Sequence, residues 1–125
     1  MNKKSARLME SFRWAVYGLA DAWQKERNMK IHSVATFLVL AAGLWLRLER
    51  VEWLFILSAV FLVFTMEMLN TSLERVVDLF TREYHPLAGA AKNAAAGAAL
   101  LASLYALLVA GFILLPRLAE RINIF

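Results

Sequence analysis

Residues 94–115 read AAAGAALLASLYALLVAGFILL, 22 residues without a charge, followed by Pro116 and Arg117. As a helix this stretch spans about 33 Å at 1.5 Å per residue, enough to cross a hydrocarbon core of about 30 Å. Two further apolar runs precede it. Ile31 to Leu46 holds 16 residues without a formal charge, and it lengthens to about 18 if Arg47 snorkels to the interface. Trp53 to Met66 is also uncharged, and good helix-forming residues with no Gly or Pro continue it from Glu67 to Phe80. That pattern predicts one helix over 53–80 whose second half is polar. Spans are expected at 31–48, 53–80 and 93–115, the last closed by Pro116.

The composition agrees with this reading. Of 125 residues 61% are hydrophobic and 19% charged, against about 45–50% and about 25% in an ordinary soluble domain. A single domain of this length cannot hide so much apolar surface from water. The absence of cysteine excludes a disulfide framework and a thiolate metal site. Disorder is excluded by the hydrophobicity itself.

The first thirty residues differ in kind. Phe12, Ala15, Val16, Leu19, Ala20 and Trp23 recur at helical spacing, while Lys3, Lys4, Arg7, Arg13 and Lys25 occupy the other face. This predicts an amphipathic helix over 1–30 lying in the headgroup plane of an anionic leaflet. The expected fold is therefore an all-α membrane protein: a surface helix plus three transmembrane helices, the second extended into the interface, forming one domain over 1–125.

Three spans put the N-terminus and the loop between spans two and three on one side. Ten of the fourteen lysines and arginines fall there, against Arg47, Arg50, Arg117 and Arg121 opposite. By the positive-inside rule the first side, with the N-terminus, is cytoplasmic. The net charge of +4 then follows from topology, and no nucleic-acid partner is expected.

Glu67, Asn70, Glu74 and Asp78 fall at i, i+3, i+7 and i+11, on one face of the helix over 53–80. Carboxylates in a stripe repel one another, so a positive partner is expected. Oxygen ligands without Cys or His at ligand spacing point to Mg²⁺ rather than Zn²⁺. Glu26, before span one on the same side, could bring a second carboxylate to such a metal and leave Glu67 free to take a proton. The alternatives are a solvated helix face for the stripe and an ion pair with Arg27 or Lys30 for Glu26. Lys92 stands where span three is expected to start, a position favourable to phosphate, although a lysine there also serves topology. No GxxxxGK[ST] or GxGxxG occurs, so a nucleotide site would be neither a P-loop nor a Rossmann crossing. The small residues of Ala88 to Ala99 suit close helix packing and an oligomer.

Taken together, Glu26-Arg27-Asn28-Met29-Lys30-Ile31-His32, Glu52-Trp53, the stretch Glu67 to Asp78 with its pattern E-x-x-N-[ST]-[AS]-[IL]-E-x-x-x-D, and Ala91-Lys92 followed by Ala95-Ala96-Gly97-Ala98 resemble one family. It is the prokaryotic diacylglycerol kinase and undecaprenol kinase family of small membrane lipid kinases, and the first two segments look more like its undecaprenol kinase branch. The resemblance implies a homotrimer with shared sites in the bacterial plasma (inner) membrane, transferring the γ-phosphoryl group of ATP, with Mg²⁺, to a lipid alcohol. It implies Glu67 as general base, Asn70 as an orienting residue, and Glu26 and Glu74 as metal ligands that also meet the nucleotide. Arg7, Trp14, Glu83, Tyr84, His85, Lys92 and Asn93 match nucleotide-contacting positions, Glu67 and Ala96 face the lipid, and Asp78 supports the site. One position departs: the family has Lys-Asp where this chain has Lys92-Asn93.

Two other classes compete. A small multidrug-type transporter would carry a mid-span carboxylate with little else acidic nearby, whereas Glu67 begins a stripe. A structural or regulatory membrane subunit descended from a kinase would show no Mg²⁺-dependent ATP consumption.

Overall fold

A computed structural model describes residues 2–122. They form four helices and, among the described residues, no strand. Helix α1 (Lys3–Lys25) is capped by Asn2, whose side-chain oxygen accepts from the Ser5 N–H at 2.9 Å, a contact that satisfies one of the free donors of the first turn. Helices α2 (Arg27–Leu46), α3 (Arg50–Phe80) and α4 (Pro86–Arg121) are each long and apolar enough to cross a membrane. The all-α membrane architecture expected from the sequence is the one observed.

Span one ends at Leu46 rather than at 48 and α3 starts at Arg50 rather than at 53, and three further boundaries depart by more. The surface helix does not run to residue 30. It ends at Lys25; Glu26 is extended, and 27–30 already form the first turn of α2. The corner is held by side chains that the sequence pattern left unassigned. Lys30 Nζ donates to the Gln24 carbonyl at 3.1 Å and sits 5.6 Å from the Trp23 ring centroid, while Trp23 Nε1 donates to Ser33 Oγ at 3.0 Å. A lysine on the terminal carbonyls of α1 replaces the helical donors that the turn removes.

The second departure is at Pro116, which does not close α4 but lies inside it. Proline leaves the carbonyl four residues back without its helical donor. Beyond it, Arg117 bonds Glu52 through Nε at 3.2 Å and through Nη2, which also lies 3.4 Å from Glu49, and Arg121 stacks over Trp45. These contacts fasten the last turn to the α2–α3 connection and keep it helical. Third, α4 begins at Pro86, so Lys92 is in its second turn and not at its start. Its backbone N–H is spent within the helix, and the phosphate argument from a free helix N-terminus does not hold there.

The α2–α3 connection is tight. Arg47 adopts the left-handed conformation (φ 56°), and the Leu48 N–H returns to the Gly43 carbonyl at 3.2 Å. Glu49 and Glu52 form a reciprocal capping box on α3, a pairing that satisfies two terminal donors at once. Gly43 is required by proximity: a Cβ there would lie 2.7 Å from the Trp53 ring.

Helix α3 is the central element and shares its largest interface with α4. Ile56, Ala59 and Val63 are buried on one face, and the same face continues into Glu67, Asn70 and Thr71, also buried. One helix side is therefore apolar core at one end and polar at the other. The outward faces remain apolar and exposed, with Phe37, Leu44, Phe61, Leu100 and Phe112 among them, as lipid or other subunits require.

Candidate active site

The polar end of α3 gathers most of the expected residues. Glu67 lies directly after the uncharged run and is only 5% exposed. Its Oε1 is 3.1 Å from His32 Nε2 on α2. One turn on, Asn70 Nδ2 donates to Glu74 Oε1 at 3.4 Å, and Asn70 Oδ1 is buried with no hydrogen-bond partner. Asp78 receives Lys92 Nζ from α4 at 2.6 Å. The cation expected for the stripe is thus partly supplied by the chain itself. Glu74, Asp78 and Lys92 are half-buried, and Asn93 and Ala96 are exposed beside them on α4.

Glu26 sits in the extended break between α1 and α2, where it is half-buried and 3.9 Å from Arg75 Nη2. The proposed ion pairs with Arg27 or Lys30 do not form. Arg75 donates through Nη1 to Asp21 on α1 at 2.7 Å, and Lys25 reaches the other Asp21 oxygen at 2.7 Å. The hydrogen bond from Lys25, and then that from Arg75, hold the Asp21 carboxyl below its ordinary pKa. This bridge fastens the surface helix to α3 beside the site.

The remaining expected residues are exposed outside this cluster. Arg7 and Trp14 are exposed on α1, Trp14 with Tyr17 at 6.3 Å between ring centroids. Glu83, Tyr84 and His85 are exposed in the α3–α4 connection, where His85 Nδ1 accepts the Leu87 N–H at 3.2 Å and caps α4. The structure brings Glu67, Asn70 and Glu74 into one continuous patch with Asp78 and Lys92 below it, and sets Arg7 and Trp14 apart on the surface helix. His32, Asp21 and Arg75 were not singled out by spacing. His32 and Arg75 had a signal, since they lie in the segments Glu26 to His32 and Glu67 to Asp78; Asp21 had none beyond charge.

Among the described residues no three His, Cys, Asp or Glu side chains gather as a metal cage. A hard cation held by one or two carboxylates, with phosphate and water completing its shell, needs no such cage. The oxygen-only character of Glu26 and Glu74, with Asn70 holding the latter, fits that kind of ion.

An apolar groove of about 670 Å³ runs between α1 and α3, lined by Ala15, Gly18, Leu19, Phe61, Phe64 and Met68 among others. Phe64 and Met68 flank Glu67 in sequence, but Glu67 is not among the lining residues and turns instead to His32 on α2.

Residues 13–114 match the family model described as prokaryotic diacylglycerol kinase. The chain belongs to that family. Its relatives include the undecaprenol kinase of Bacillus subtilis, 38% identical over 112 residues that cover 90% of this chain and 91% of the relative. The diacylglycerol kinase of Synechocystis is 43% identical over 112 residues, 89% of this chain and 64% of the relative. That of Escherichia coli K12 is 32% identical over 102 residues, 82% and 84% of the two chains. Membership in this family of lipid kinases implies a nucleotide co-substrate and, with three helices able to span a bilayer, makes the chain a multi-pass bacterial membrane protein.

Proposed function

We propose that this member of the prokaryotic diacylglycerol kinase family phosphorylates a membrane lipid alcohol, undecaprenol or diacylglycerol, using ATP and Mg²⁺ at the cytoplasmic interface. The observation that carries the reading is the position of Glu67. A nearly buried carboxylate closes the apolar run of α3, at the interface where a lipid hydroxyl that cannot leave the bilayer would come to it.

Glu67 acts as general base. It takes the hydroxyl proton of the lipid as that oxygen attacks the γ-phosphorus and the nucleoside diphosphate leaves. Asn70 holds Glu74 by the hydrogen bond from its Nδ2 and orients the polar end of the site. Glu26 and Glu74 would hold Mg²⁺, which supplies neutralisation of the phosphate charge. Lys92 reaches phosphate oxygens by exchanging its partner Asp78, and Arg7, Trp14, Glu83, Tyr84, His85 and Asn93 contribute nucleotide contacts. The two carboxylate ligands lie on different elements, and Arg7 and Trp14 stand apart on α1. Both facts favour sites completed between subunits of a homotrimer, with the N-terminus on the cytoplasmic side.

The test is direct. Purified protein in mixed micelles with labelled ATP and Mg²⁺ is offered undecaprenol and diacylglycerol at equal mole fraction. Labelled lipid phosphate that disappears with EDTA supports the reading, and the better acceptor identifies the lipid. Absence of transfer to either lipid refutes it.

A further inference from the structure

We propose that His32 is a positioning residue for Glu67, holding its carboxylate in one orientation. The inference rests on the reading of Glu67 as general base and adds a residue on another helix that makes the base usable.

The contact itself supplies the first step. His32 Nε2 and Glu67 Oε1 are 3.1 Å apart, a hydrogen-bond distance that needs a proton between them. A general base must be a carboxylate, which only accepts, so the proton resides on Nε2 and His32 is the donor. The second step is burial. Glu67 is 5% exposed, and a polar group so little exposed is expected to find a hydrogen-bond partner in the protein. Among the described residues His32 is the sole hydrogen-bond partner of the Glu67 carboxylate.

Four charged groups on the surrounding elements are committed elsewhere. Lys30 bonds the Gln24 carbonyl, Arg75 bonds Asp21, Lys92 bonds Asp78, and Glu74 receives Asn70. The ring of His32 is steadied by Phe64, edge to face at 6.5 Å between centroids. With Oε1 taken by His32, Oε2 makes no hydrogen bond among the described residues and is the oxygen left to receive the substrate proton. A donor that fixes one oxygen selects the other as base and removes the rotation that would otherwise blur its aim.

The experiment compares His32→Gln with His32→Met, two side chains of similar size of which only glutamine carries an N–H donor. Turnover and nucleotide KM are measured in micelles together with thermal stability, and Glu67→Gln is measured in parallel. His32→Met is expected to lower kcat about 10- to 100-fold, the value of a hydrogen bond to a charged group, with nucleotide KM unchanged. His32→Gln is expected to restore most of that loss. Equal kcat for the two variants, in proteins of equal stability, overturns the inference. The base assignment fails separately if Glu67→Gln retains near-normal turnover, whatever the His32 variants do.

Discussion

Asn70→Leu is expected to move stability and activity in opposite directions. Asn70 is 9% exposed, its Oδ1 is buried without a partner, and its one hydrogen bond, Nδ2 to Glu74, is long at 3.4 Å. An unsatisfied buried acceptor costs about 1–3 kcal/mol, whereas a hydrogen bond at that length contributes near the low end of about 0.5–1.5 kcal/mol. Leucine has nearly the same shape and carries neither group, so the variant should gain about 1 kcal/mol, or about 3–6 °C in Tm for a chain of this size. The same change releases the Glu74 carboxylate, and kcat should fall. Thermal unfolding in detergent, followed by tryptophan fluorescence, reads the first effect, and ATP-dependent phosphorylation of the better lipid reads the second. A Tm that drops by several degrees would show that Oδ1 has a donor in the assembled protein and would refute the reasoning. Unchanged kcat would remove Asn70 from the site.

Three further changes test the frame around the site. Gly43→Ala should destabilise by about 1–3 kcal/mol, since its Cβ would meet the Trp53 ring at 2.7 Å in a tightly packed turn, and Trp53→Ala should relieve the clash in a double-mutant comparison. Arg47→Gly should raise Tm, because φ is 56° there and a non-glycine residue pays about 1 kcal/mol in that conformation; an unchanged or lower Tm argues against strain. Asp21, held below its ordinary pKa by Lys25 and Arg75, contributes stability that is complete above the unfolded value of about 3.9 and is lost as pH falls through the lower folded value. Asp21→Asn should therefore flatten the acid end of the stability profile below about pH 4, and an acid limb identical to that of the parent would contradict the bridge.

The spans were legible because hydrophobicity adds locally over windows of about 20 residues, with no knowledge of neighbours needed. The amphipathic surface helix and the stripe from Glu67 to Asp78 were legible for a related reason, since side chains of one helix share a face by spacing alone. Ion-pair partners were not. His32 is 35 residues from Glu67, Asp21 is 54 from Arg75, and Glu52 is 65 from Arg117. Each pairing depends on how far one helix is rotated and shifted against another, which for α2, α3 and α4 is set by packing such as that of Ile56 with Leu46, Val39 and Val109. The same holds for Pro116. Its lost donor is a local fact that predicts a helix end, while the contacts of Arg117 and Arg121 that carry α4 past it are tertiary. Local chemistry thus specified which residues could act in this lipid kinase, and helix packing specified which of them meet.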